Sequence, residues 1–157
     1  MKDDQGKSRL VGINHVALEV GDINAALDFY GNLFAFEMRG RTETMAFLDM
    51  GDQFLALSEG REQKPDGHRH FGLVVDDRQP VRRALAKMDV EVLETSGLDF
   101  IDPWGNRIQV VVYRDIQFTK ADSVLKGMGL EHLDKSRAAI DQLRDKGLSG
   151  NGTDSTT

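Results

Sequence analysis

HVALEVGD at residues 15–22 and HFGLVVDD at residues 70–77 are two copies of one pattern. Each opens on a histidine, alternates apolar and other residues with period two, and ends on an aspartate. Such alternation marks a strand with one apolar face. Val16, Leu18 and Val20 form that face in the first copy, and Phe71, Leu73 and Val75 in the second. His15 and His70 fall on the opposite faces, His15 with Ala17 and Glu19, His70 with Gly72 and Val74.

The segments after the two copies also resemble each other. Asp22 is placed to cap a helix whose apolar positions are Ile23, Ala26, Leu27, Tyr30, Leu33 and Phe34. Asp77 is placed likewise before Val81, Ala84, Leu85 and Met88. Strands are then expected over 44–49 and 53–58 in the first unit, and over 90–93, 98–101 and 107–113 in the second. Phe47-Leu48-Asp49 before one turn matches Phe100-Ile101-Asp102 before the other, and Gly51 matches Gly105. Gly40 interrupts the stretch between the first helix and the next strand. The repeat offset is about 53 to 55 residues, so the chain reads as two βαβββ modules.

The fold class is therefore α+β: two βαβββ modules forming a curled mixed sheet, followed by C-terminal helices. The divisions are an N-terminal arm (1–10), a domain over 11–118 with modules at about 11–59 and 69–114, a helical extension over 119–148 and a polar tail over 149–157. In the extension, 120–128 and 134–146 read as helices, with Asp134 as N-cap and Gly147 as C-cap. Leu133, Ile140 and Leu143 give the second of these an apolar stripe. The tail is small and polar and is expected to be disordered.

Composition narrows the function classes. With 157 residues the chain fits one domain. A net charge of −6 argues against nucleic acid and against an anionic membrane surface as partners. There is no cysteine, which removes disulfides, thiolate metal sites and a cysteine nucleophile, and the cytoplasm is the expected compartment. The N-terminal residues lack an apolar core of the signal-peptide kind, and no apolar run is long enough to span a bilayer. Walker, Rossmann and nucleophile-elbow motifs are absent.

The two strand histidines are the chemical candidates. If the strands curl around one cup, His15 and His70 point into it, with Gln109, Val111 and Tyr113 on one face of the last strand. Counting from the turn glycines, Leu55 is the first-module counterpart of Gln109. His68 sits in the polar loop over 60–69 and His132 opens the C-terminal helix, and both are expected to be exposed. Trp104 is expected to pack over the sheet.

NHVALEVGDINAALDFYGNLFAFEMRG from residue 14, HFGLVVDD and FIDPWGNRIQVVVY resemble the vicinal-oxygen-chelate superfamily, which includes glyoxalases, bleomycin-resistance proteins and extradiol dioxygenases. The resemblance covers about residues 11 to 113. It implies a divalent metal (Fe, Zn, Mn or Ni) held by His15, His70 and Gln109, with Gln109 standing where three-ligand members carry a glutamate. The strand-four ligand of other members has no counterpart in Leu55-Ala56-Leu57. Two neutral imidazoles and a carboxylate leave one positive charge on a divalent ion, whereas a carboxamide leaves both. Glu19 or an anionic substrate would have to restore the balance. Glu59 is a further carboxylate on the same stretch.

The activity implied is that of a metal-assisted lyase, isomerase or dioxygenase on a small oxygen-rich molecule, in a homodimer. Arg107, Tyr113 and Phe47 are the expected substrate contacts, and no general base stands out. The alternative is a metal-free protein that binds or sequesters antibiotic-like molecules.

Overall fold

The computed structural model describes residue 8 and residues 10–148. The 149–157 tail and most of the 1–10 arm lie outside the described residues.

The first module runs β1 (His15–Val20), α1 (Ile23–Leu33), β2 (Glu37–Arg41), β3 (Met45–Asp49) and β4 (Phe54–Glu59). The second runs β5 (Phe71–Val75), α2 (Gln79–Leu85), β6 (Glu91–Leu93), β7 (Leu98–Ile101) and β8 (Arg107–Val112). A single 3-10 turn (Tyr113–Asp115) and two helices, α3 (Asp122–Gly127) and α4 (Arg137–Asp145), complete the chain. The α+β class and the βαβββ duplication are as the sequence led us to expect. The strands form two separate four-stranded sheets, ordered β1-β4-β3-β2 and β5-β8-β7-β6, rather than one closed cup. In each, the first strand runs parallel to the last, and the remaining pairs are antiparallel.

Local chemistry explains most boundaries. Asp22 caps α1 by accepting the Ala25 amide at 2.7 Å. Asp77 accepts the Gln79 amide at 2.9 Å, but the cap position of α2 falls on Arg78. Ser136 rather than Asp134 caps α4, because its hydroxyl accepts the Ala139 amide and the Asp134 carboxylate pairs with Arg114. Helix α3 begins at Asp122; Lys120, expected inside it, forms an ion pair with Asp52 in the β3–β4 turn. That lysine's hydrogen bond is the main reason the Asp52 carboxyl lies below the usual range. Gly147 ends α4 with φ +69°.

One apolar core serves both modules. It joins Leu18, Val20, Ile23, Phe29, Tyr30 and Leu57 of the first to Leu85, Leu98, Phe100 and Ile108 of the second. Helix α1 touches both sheets: Phe29 packs against Phe100 and against Trp104, each with ring centroids 6.1 Å apart. A buried polar cluster crosses the same junction. The Tyr30 hydroxyl donates to Asp102 at 2.7 Å, and the Asn106 side-chain amide donates to Asp102 and to the Glu19 carbonyl. Burial above all, then the Asp102 carboxylate, pushes the Tyr30 phenol well above its usual pKa, so it acts as a neutral donor.

This shared core decides where the histidines go. Val16, Leu18 and Leu73 face it, so the opposite faces of both sheets turn away from it. Each chain therefore presents two open faces, one per module, instead of one enclosed hollow.

The inter-module loop is fastened to the β7–β8 turn. Arg61 donates to the Asn106 side-chain oxygen and to the Lys64 carbonyl, and the Asp66 amide donates to the Gly105 carbonyl at 2.7 Å. Gly105 has φ +89°, and a Cβ there would lie 2.7 Å from the Pro65 backbone. Gly105→Ala is therefore expected to cost about 2–3 kcal/mol, measured by urea unfolding. A loss under about 0.5 kcal/mol would show that the loop is not held this way.

In the extension, the Lys135 ammonium donates to the carbonyls of Tyr113 (2.6 Å), Ile116 (2.9 Å) and Phe118, and lies 3.5 Å from the Tyr113 ring centroid. Burial lowers its pKa to about 8. Among the described residues, no helix is long and apolar enough to cross a membrane.

Candidate functional site

On the first open face, register aligns His15 of β1 with Phe54 of β4, Phe54 with Asp49 of β3, and Asp49 with Glu37 of β2. The His15 ring stacks on Phe54 with centroids 4.7 Å apart and planes at 10°. Its Nδ1 is 2.8 Å from the Asn14 side-chain oxygen, leaving Nε2 unengaged among the described residues. Phe47 meets Phe54 edge-on at 5.9 Å, so it belongs to this face.

His70 stands one residue before β5 and shares the second open face with Gly72 and Gln109, which are partners in the parallel β5–β8 register. Its Nδ1 is 2.8 Å from the His68 carbonyl. A carbonyl oxygen only accepts, so Nδ1 carries the hydrogen, and in the neutral ring Nε2 keeps its lone pair. Both histidines are exposed.

Asp99 of β7 is the antiparallel partner of Gln109 and is fully buried. Arg107 donates to it through Nε at 3.3 Å and Nη2 at 2.9 Å, while Nη1 donates to the Gly67 carbonyl. The Arg107 guanidinium is thus engaged on all three nitrogens and neutralised by Asp99 of the adjacent strand. Asp66 accepts the Arg107 amide at 3.1 Å. Burial pushes the Asp66 carboxyl up, but hydrogen bonds from Arg69 and that amide, with the Arg69 and Arg61 charges, outweigh it and leave it below the usual range.

The chain does not bring the six expected site residues together. His15 and Phe47 lie on one open face; His70, Arg107 and Gln109 lie on the other. Tyr113 falls past the end of β8 in the 3-10 turn, where it is buried against Phe118 and Lys135. Among the described residues, no three His, Asp or Glu side chains are grouped to hold a metal ion. Within a single chain, then, the two imidazoles do not share the hollow that the sequence suggested, because the modules share their helix-covered faces instead.

Two carboxylates considered as partners are also placed. Glu19 faces the same way as His15 but lies four residues along β1, about 13 Å away at strand spacing, too far to meet the same ion. Glu59 is in register with Val20, on the core-facing parity at the end of β4. The strand-four counterpart of Gln109 is Ala56, not Leu55. Ala56 pairs with Ala17 as Gln109 pairs with Gly72, whereas Leu55 pairs with Val16 and is buried in the core.

The sequence pattern of the Glyoxalase/Bleomycin resistance protein/Dioxygenase superfamily matches residues 12–110, more than half of the chain. Among characterised proteins, the glutathione transferase FosA of Serratia marcescens is 27% identical over 115 residues, covering 66% of this chain and 82% of its own. The metallothiol transferase FosB of Bacillus licheniformis is 24% identical over 117 residues, covering 66% of this chain and 76% of its own. The fosfomycin resistance protein FosX of Listeria monocytogenes, solved with Mn(II) and sulfate, superposes with a TM-score of 0.58 at 16% identity. That match covers 76% of this chain and 99% of FosX. A glyoxalase family protein of Bacillus anthracis gives a TM-score of 0.55 at 21% identity over 68% of this chain and 98% of its own. With duplicated βαβββ modules, strand histidines in equivalent positions and a family match spanning both, the chain belongs to the glyoxalase/bleomycin resistance protein/dioxygenase superfamily.

Proposed function

We propose that this protein is a metal-dependent enzyme acting on a small oxygen-rich molecule. Its site would be completed between two copies of the chain: His15 from one, His70 and Gln109 from the other. The observation that carries this reading is the state of the two imidazoles. Each has Nδ1 anchored to an oxygen, Asn14 for His15 and the His68 carbonyl for His70. Among the described residues, each leaves Nε2 unengaged on an exposed face. Metal-binding histidines are typically held in this way, since the outer hydrogen bond fixes the tautomer and aims the lone pair. Satisfied structural histidines have no need for two such arrangements in equivalent places.

The donor set fits a divalent cation once two chains meet. Gln109 supplies a neutral carbonyl oxygen and makes no hydrogen bond through its side chain among the described residues. A symmetric dimer would cover both open faces at once, because a two-fold axis sets the His15 face of one chain against the His70 face of its partner. β1 and β5 are edge strands in their sheets, which leaves them available for that contact. A bound divalent cation contributes Lewis acidity toward adjacent substrate oxygens. The chain's own part is to hold the imidazoles in one tautomer, to keep water out by covering the faces, and to orient the ligand against the Phe54 and Phe47 rings. The names of the FosA, FosB and FosX relatives support a small-molecule substrate and, for FosX, Mn(II).

Titrating the purified chain with Mn(II), with metal analysis beside it, tests this reading. Gln109→Glu adds a negative charge to an otherwise neutral donor set. It is expected to tighten Mn(II) binding about tenfold. Unchanged affinity in Gln109→Glu would remove Gln109 from the ligand set. No binding of any divalent transition metal by the wild-type chain would leave the metal-free binding protein as the surviving reading.

A further inference from the structure

Strand β2 carries a β-bulge. Its pairing with β3 shifts register between Met38 and Gly40, so Arg39 is the extra residue. Bulges re-aim the side chain at the insertion. Here the Arg39 guanidinium carbon lies over the Phe54 ring, 4.5 Å from its centroid. The same ring is the one on which His15 stacks at 4.7 Å.

The other arginine near the candidate site, Arg107, is neutralised by Asp99. Arg39 differs. None of the ion pairs among the described residues includes it. The nearest acids in register on this face are Asp49 and Glu37. One Asp49 oxygen accepts the Gly51 amide at 2.6 Å, and neither acid pairs with Arg39. A guanidinium placed over an aromatic ring can keep N–H groups free to grip an oxyanion.

We propose that Arg39 determines specificity by binding the anionic end of the ligand, and that the site takes small molecules carrying a phosphonate or carboxylate group. This rests on the reading that the His15 face is a ligand face. The charge balance points the same way. His15, His70 and Gln109 bring no negative charge, so a bound divalent ion and Arg39 both call for an anion from the ligand. Arg39 lies two residues past Glu37, on the parity that faces Phe54, and the register shift leaves it without a cross-strand partner of its own.

The test is calorimetric titration of the full chain with methylphosphonate and, separately, acetate, in metal-free and Mn(II)-loaded states. Wild type, Arg39→Gln and Arg39→Lys are compared, and Mn(II) affinity is measured independently. Arg39→Gln is expected to weaken the preferred anion about tenfold and Arg39→Lys less, with Mn(II) affinity unchanged within about twofold. The relative strength of the two anions tells phosphonate from carboxylate preference. Arg39 is exposed, so both variants are expected to fold, and thermal melts check this. Arg39→Gln binding both anions like wild type in both metal states would overturn the proposal, as would failure of the wild type to bind either anion in either state. A wild type that binds no Mn(II) but loses anion affinity on Arg39→Gln would sink the metal reading and uphold this one.

Discussion

Asp102→Ala is expected to destabilise the fold by about 3–5 kcal/mol, a large share of the roughly 5–15 kcal/mol that holds a domain together. Asp102 is 3% exposed. Its two oxygens accept from the Tyr30 hydroxyl, the Trp104 and Asn106 amides and the Asn106 side chain, at 2.7 to 3.0 Å. Alanine removes every acceptor and leaves buried donors without partners, which costs more than the hydrogen bonds themselves gain. The position also joins the modules, since Tyr30 comes from α1 and Asn106 reaches on to the Glu19 carbonyl of β1. Tyr30→Phe deletes one donor and keeps the ring, so it should cost only about 1–2 kcal/mol. Equilibrium urea unfolding of the three proteins gives the comparison. A cost below about 1 kcal/mol for Asp102→Ala would mean that the junction is held by apolar packing alone.

His70→Ala is expected to weaken divalent-metal binding by about 100-fold or more, with little change in stability. The imidazole is exposed and carries none of the core, so its loss should be felt at the ion rather than in the fold. His15→Ala should match it in metal affinity, because the two occupy equivalent places in the two modules. It should differ slightly in stability through the lost stack on Phe54. The same substitution at His68 or His132, both exposed, should leave metal binding intact. Loss of the His68 side chain leaves the His68 carbonyl that holds His70 Nδ1.

Much of this architecture is legible in the chain itself. Period-two alternation from His15 to Val20 and from Phe71 to Val75 sets both histidines on the faces away from the core, because parity along a strand needs no tertiary information. Asp22 marks the start of α1 for an equally local reason. Strand β2 escapes such reading. EMRGR has one apolar residue and is mostly exposed, and its bulge breaks the alternation. Gly40, interrupting the pattern just after Arg39, is the only trace of that bulge in the sequence.

The remaining differences are tertiary. Two residues, Asp52 and Gln53, separate Gly51 from β4, but only Asn106 separates Gly105 from β8. Counting from glycine therefore selects Leu55, where pairing selects Ala56; a one-residue slip changes the face. Neutralisation of Arg107 by Asp99 depends on a hairpin contact eight residues apart in sequence. Tyr113 leaves the β8 face because the chain turns at that residue. The arrangement of the two modules depends on α1 touching both sheets, which no local pattern encodes.

Division of the site between two chains can be tested by complementation. His15→Ala and His70→Ala proteins, each expected to bind Mn(II) at least about 100-fold more weakly, can be mixed, unfolded and refolded together, then titrated at Mn(II) concentrations that fill only wild-type sites. Half of the dimers should be mixed, and each would pair an intact His15 with an intact His70 at one of its two sites. About a quarter of the wild-type binding capacity should therefore return at wild-type affinity. A mixture that binds no more Mn(II) than either variant alone, while refolding fully, would contradict the shared site.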